Sequence, residues 1–191
     1  MGAVTLTSDW PPADGPLTVT DLARTPDDGR RYELVDGVLI VSPAPAVSLQ
    51  LVMLDLAVEL RAACPADLEV VPGPGLRMSD ITELIPDLVV VRRADLMNVR
   101  LTEPPALVAE VRSRSTALFD MNTKKAVYER FGIESYWIIV PDRLRPTVLA
   151  FELRDGKYAE IAHVVGEEEF LALRPFGVSI VPARLVARLP R

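Results

Sequence analysis

The sequence predicts an α/β fold with a β-hairpin near its N-terminal end, and three observations predict it. Asp36-Gly37 stands between two apolar, strand-like runs at 31–35 and 38–41, and glycine readily takes the positive φ that a two-residue hairpin turn needs. The stretches 87–91 and 106–111 are continuous apolar runs of strand length. Segments 46–63 and 120–131 repeat their apolar residues at helical spacing.

The elements follow in order. The hairpin occupies 31–42, and Pro43 and Pro45 end it. In the helix at 46–63, Ser48, Asp55 and Glu59 share one face, while Val47, Leu51, Leu54 and Val58 form another that is expected to meet a core or a partner subunit. Five polar residues interrupt this apolar window, so it fails the requirement of about 20 apolar residues for a membrane span. Short strands at 68–71 and 76–78 flank the turn Pro72-Gly73-Pro74-Gly75. After the two apolar strands comes a helix capped by Asp120 and closed by Gly132. A buried strand at 136–140 and a second hairpin around Asp155-Gly156 follow. From Glu167 onward the pattern reads as a short helix, a strand at 177–181 and a final helical turn.

With 191 residues, 49% hydrophobic and 25% charged, the chain suits one domain with a closed core rather than disorder. That domain is expected over 17–191, with 1–16 as an extended leader around Trp10-Pro11-Pro12. The leader lacks the basic head and apolar run of a secretory signal, so a cytoplasmic protein is expected. Cys64 and His163 are the only residues of their kinds, which excludes an internal disulfide and cysteine or multi-histidine metal cages. Any metal would therefore rest on carboxylates. The net charge of −6 argues against a globally positive nucleic-acid coat. Yet residues 88–132 hold eight basic and five acidic residues, a local excess on the segments that carry the candidate site.

Acids inside apolar strands call for a reason. Strand alternation points Asp87 with Val89 and Val91, and Glu110 with Val108 and Arg112. If the strands are neighbours, the two carboxylates converge, and two oxygen ligands with open positions suit Mg²⁺ or Mn²⁺. The alternative is a pair of solvated strand ends. Lys124 holds a place in the inward stripe with Met121, Tyr128 and Phe131, and Val127 beside it, whereas Lys125 reads as an ordinary surface lysine. A lysine aimed at a sheet bearing two acids is either a structural ion pair or a catalytic cation.

Tyr32-Glu33-Leu34-Val35-Asp36-Gly37, Ser42-Pro43-Ala44-Pro45, Pro86-Asp87-Leu88, Glu110-Val111 with Ser113 and Ser115, Lys124 and Tyr136-Trp137-Ile138 occur in this order. The set resembles the Uma-type restriction endonucleases of the PD-(D/E)XK nuclease superfamily. The resemblance implies a mixed central sheet flanked by helices. It also implies metal ligation by Asp87, Glu110 and the Val111 carbonyl, with Lys124 as the active-site lysine and Glu33 as an accessory acid. Glu33 can equally form a cross-strand pair with a neighbouring arginine.

Arg112 stands where the superfamily usually has a lysine; it can contact phosphate or form an ion pair with Glu110. Leu49 and Val140 replace a family histidine and aspartate. The resulting expectation is a Mg²⁺- or Mn²⁺-dependent endonuclease that hydrolyses phosphodiester bonds in DNA, working as a homodimer. The alternative is a catalytically silent nuclease fold that binds nucleic acid or protein.

Overall fold

The computed structural model describes residues 15–112 and 114–190, without the side chains of 114–121. Most of the expected leader, and Ser113, therefore lie outside the described residues. The chain is a mixed α+β structure built around a six-stranded sheet, β10-β9-β8-β7-β6-β3. These strands are β3 (Leu68–Pro72), β6 (Leu88–Arg92), β7 (Leu107–Val111), β8 (Ser135–Val140), β9 (Thr147–Arg154) and β10 (Lys157–Val165). Only β7 and β8 run parallel, with Leu107 opposite Ser135; the helix joining them supplies the long crossover that a parallel pair needs. A second, four-stranded antiparallel sheet is ordered β2-β1-β5-β4, from β1 (Arg31–Val35), β2 (Val38–Ser42), β4 (Leu76–Ser79) and β5 (Thr82–Leu84).

The central strands alternate strictly between two apolar layers. Leu88, Val90, Leu107, Ala109, Val111, Trp137 and Ile139 face one side, where α2 (Val47–Ala63) and α4 (Pro182–Leu185) cover them together with β11 (Phe170–Ala172) and β12 (Val178–Ile180). Val89, Val91, Val108, Tyr136 and Ile138 face the other, against Val127 and Tyr128 of α3 (Arg114–Phe131) and Val35, Leu76 and Leu84 of the small sheet. Asp87 and Glu110 belong by alternation to this second layer.

Both Asp-Gly hairpins form. Asp36 and Gly37 have φ of 47° and 80°, and Asp155 and Gly156 have 51° and 76°, the paired positive angles of the turn that matches strand twist. Several sequence expectations need correction. The helix expected from Asp120 begins at Arg114, because Ala117-Leu118-Phe119 extends the helical run and the serines before it do not end it. Gly132 does close it, at φ 88°, donating its N–H to the Tyr128 carbonyl at 3.1 Å. In the tail, the expected strand at 177–181 forms as β12 and the expected final turn as α4, but the short helix expected from Glu167 is replaced by β11, which pairs with β12. A short helix, α1 (Val19–Leu22), and the three-residue β5 were not foreseen.

On α2 the stripe that meets the core is Val52, Leu56 and Leu60, all fully buried, whereas Val47, Leu54 and Val58 remain 54–74% exposed. The helix is apolar on two sides, and polar spacing alone does not tell which side the sheet covers. No helix among the described residues is long and apolar enough to cross a membrane.

The two hairpin glycines differ in surroundings. A Cβ on Gly37 would collide with Pro16, whereas one on Gly156 would meet nothing within 4 Å. Gly37→Ala is expected to cost about 2 kcal/mol or more, and Gly156→Ala only the conformational penalty of about 1 kcal/mol. Thermal unfolding of the two variants checks the order; equal losses would refute it.

Candidate active site

The acids meet where the two sheets adjoin. Leu88 faces Ala109 across β6 and β7, so one step along this register sets Asp87 against Glu110. Asp87 is 7% exposed and Glu110 is fully buried. Glu33 comes from the centre of β1, buried at 3% exposure, and Lys124 from α3 at 5%. The four residues singled out in the sequence are thus brought into one centre, and Arg112 joins them.

The contacts define that centre. Lys124 Nζ donates to Glu33 Oε1 at 2.7 Å and to Glu110 Oε1 at 3.2 Å. Arg112 donates to Glu110 Oε2 at 2.8 Å. Asp87 accepts from the Arg31 guanidinium at 2.8 Å on Oδ1 and from the Val111 backbone N–H at 2.9 Å on Oδ2. Glu33 also accepts the Ile85 N–H at 2.8 Å. Glu33 therefore pairs with the helix lysine and not with a neighbouring arginine, and Arg112 takes the ion-pair option. Two participants were missed. Arg31 lies two residues before Glu33, on the same face of β1. Tyr128 lies four after Lys124, on the same helix face, and donates its hydroxyl to Glu110 Oε1 at 2.8 Å. Strand and helix periodicity hold both signals.

Three acids thus balance three cations, but not evenly. Burial alone would push the Glu110 carboxyl up; the charges of Lys124 and Arg112, with the Tyr128 and Lys124 hydrogen bonds, outweigh it and hold the group at about 2. At Asp87, burial and the negative charge of Glu110 outweigh Arg112 and Arg31, so its carboxyl titrates above the usual range. Asp87 is the under-compensated acid, the side on which an added cation is favoured.

The donor types at Asp87 and Glu110 are those that suit a divalent ion. Of about four acceptor positions on a carboxylate, the described residues occupy two at Asp87 and three at Glu110. Carried two steps beyond Leu88 and Ala109, this register would set Val111 against Pro86, which has no N–H to give a carbonyl. Two carboxylate oxygens and a carbonyl, with water for the rest, would be the donor types that Mg²⁺ takes. Among the described residues, no three acidic, histidine or cysteine side chains close on one point as a metal cage.

A cavity of about 510 Å³ opens on the centre, walled on one side by Arg31, Glu33, Asp87 and Arg112. Glu110 and Lys124 stand behind this wall. Three of the basic residues between 88 and 132 meet acids from other elements. Arg93 pairs with Glu69, Arg100 with Glu83 and Arg130 with Asp36. Lys125, expected as an ordinary surface lysine, lies over the Phe151 ring at 3.8 Å. Cys64 caps the C-terminal end of α2 and His163 is exposed on β10.

The Glu110 contribution to stability is complete above its ordinary pKa of 4.5 and is lost as the pH falls through the folded value of about 2. That gap corresponds to about 3 kcal/mol. Asp87 acts in the opposite direction, its ionisation lowering stability as the pH rises from 3.8 through its raised folded value. Glu110→Gln is expected to lower stability at neutral pH by roughly 3–5 kcal/mol and to flatten the acid limb of a Tm–pH curve. An unchanged acid limb in this variant would show that the pairing does not carry the stability.

Comparison with known proteins supplies context for this geometry. No curated protein matches the chain. A solved structure described as a putative nuclease belonging to DUF820, from Anabaena variabilis, superposes with a TM-score of 0.72 at 15% identity, covering 90% of this chain and 98% of that one. The match shows a shared fold. The family model Uma2, described as putative restriction endonuclease, matches residues 19–183. The chain that joins Glu33, Asp87, Glu110 and Lys124 in one buried centre belongs to the Uma2 family.

Proposed function

We propose that this protein is a metal-dependent endonuclease that hydrolyses phosphodiester bonds in DNA, with Asp87 and Glu110 as ligands of Mg²⁺ or Mn²⁺ and residues 17–191 working as one unit. The observation that carries this reading is the convergence of Asp87 and Glu110 from adjacent strands beside an open cavity. A bound divalent ion would neutralise phosphate oxygens and acidify a water. The chain's own residues do the rest. Through its ammonium, Lys124 keeps Glu110 ionised and aimed. Glu33 fixes that ammonium. Arg112, on the cavity wall, is placed for phosphate once it leaves Glu110. A cytoplasmic location accords with a DNA substrate.

The contact between Arg112 and Glu110 favours a second reading, a silent nuclease fold that serves as a nucleic-acid-binding or protein-interaction module. One series separates the two. The active enzyme cleaves DNA with Mg²⁺ or Mn²⁺, stops in chelator, and loses at least about a hundredfold in rate on Asp87→Ala or Glu110→Ala, since removing charge stabilisation at such a centre costs about 10²–10³. Arg112→Gln then tightens Mn²⁺ binding about tenfold in calorimetry. A wild-type chain that neither cleaves nor binds Mn²⁺, but gains Mn²⁺ binding on Arg112→Gln, is the silent module. Cleavage that survives Asp87→Ala removes the ligand assignment.

We further read the protein as a homodimer through α2. Val47, Leu51, Leu54 and Val58 repeat at intervals of four, three and four, the spacing by which two helices interdigitate, and this stripe lies outside the core. Leu54→Glu is expected to convert dimer to monomer in sedimentation analysis; a monomeric wild type would refute the assembly.

A further inference from the structure

The cavity beside the acids has an unlike lining. Charged Arg31, Asp87 and Arg112 share it with Pro45 and Ala46 of the β2–α2 connection and Leu49 and Met53 of α2, which form its apolar wall. Two uncharged polar side chains, Ser42 and Gln50, belong to it as well. The lining is held in place. Arg31 and Ser42 are cross-strand partners in the hairpin, and the Gly73 N–H donates to the Asp87 carbonyl at 3.1 Å. Proline at 43, 45 and 72 fixes φ along the apolar wall. The recess therefore has its shape before any ligand arrives, and its volume of about 510 Å³ falls in the range of small-molecule sites.

Its occupant must offer an anion to the guanidiniums and a flat apolar body to Pro45, Leu49 and Met53, with a polar edge for Ser42 and Gln50. A nucleotide has that make-up, and a base held in a stacked duplex cannot reach into a recess of this kind. We propose that this recess receives one unstacked nucleobase beside the phosphate held at the acids, so that unpaired DNA is the preferred substrate; the inference rests on the nuclease reading of that centre. Gln50 and Ser42 read the edge of the base, and the apolar wall takes its face.

The test compares a single-stranded thymidine dodecamer, its paired duplex and a dodecamer with the same phosphates and no bases, titrated with the full chain in Ca²⁺. The single strand is expected to bind at least about tenfold more tightly than either competitor. Ala46→Trp, an exposed substitution on the apolar wall, erases that preference and leaves affinity for the baseless oligomer unchanged. Gln50→Trp, also exposed, is expected to reduce the single-strand preference as well, which covers the case of a poorly folded first variant. Equal binding of based and baseless oligomers, preference for the duplex, no binding of any oligomer, or a preference that survives both tryptophans overturns the proposal. A preference lost on Ala46→Trp in a chain that does not cleave with Mg²⁺ or Mn²⁺ upholds the recess and overturns the nuclease reading. Cleavage without base preference does the reverse.

Discussion

The structure turns on a carboxylate that has no access to water. Glu110 sits at full burial in the middle of the six-stranded sheet, where an unpaired charge is prohibitive. Its environment is therefore organised to keep it ionised, by a helix lysine, a helix tyrosine and the arginine just past the end of its own strand. The docking of α3 is tied to this pairing, since the helix face that covers Val108 and Tyr136 also delivers Lys124 and Tyr128. Asp87 experiences the same field from the other side, and the negative charge of Glu110 works against its own ionisation. The centre combines a strongly held acid with a poorly compensated one.

Much of this was legible because it is local. The Asp36-Gly37 and Asp155-Gly156 turns, the apolar strands and the facing of Asp87 and Glu110 follow from backbone conformation and two-residue alternation. What was not legible depends on which elements meet. Arg31 and Tyr128 share faces with residues that were recognised, but whether a face meets the acids is decided by the docking of one sheet on another. The burial of α2 illustrates the same limit: with apolar residues on two sides, the sheet selected Val52, Leu56 and Leu60 over the more even stripe. Three arginines of the basic window likewise pair with Glu69, Glu83 and Asp36, which lie on other elements. β5 escaped notice because it is three residues long and carries Glu83, whose charge is met by Arg77 and Arg100 only in the folded chain.

The departures from the resembled family have a physical expression. Where a lysine would leave an amine near the acids, Arg112 supplies a planar, permanently charged group that closes on Glu110. The ammonium charge comes instead from α3, behind the cavity wall. The centre thus separates the cation that keeps the buried acid ionised, Lys124, from the cation that faces the open side, Arg112.

The first hairpin carries one more consequence. Arg31 and Glu33 lie on the same face of β1, and each serves a different member of the centre. Their facing depends on a two-residue turn whose glycine backs onto Pro16. A strand that slips by one residue turns every side chain over, so a single inserted residue at this turn would withdraw the guanidinium from Asp87 and one acid from Lys124 together. Length variation during divergence is therefore disfavoured at Asp36-Gly37, while Asp155-Gly156, with open space around its glycine and no part in the centre, is free to drift.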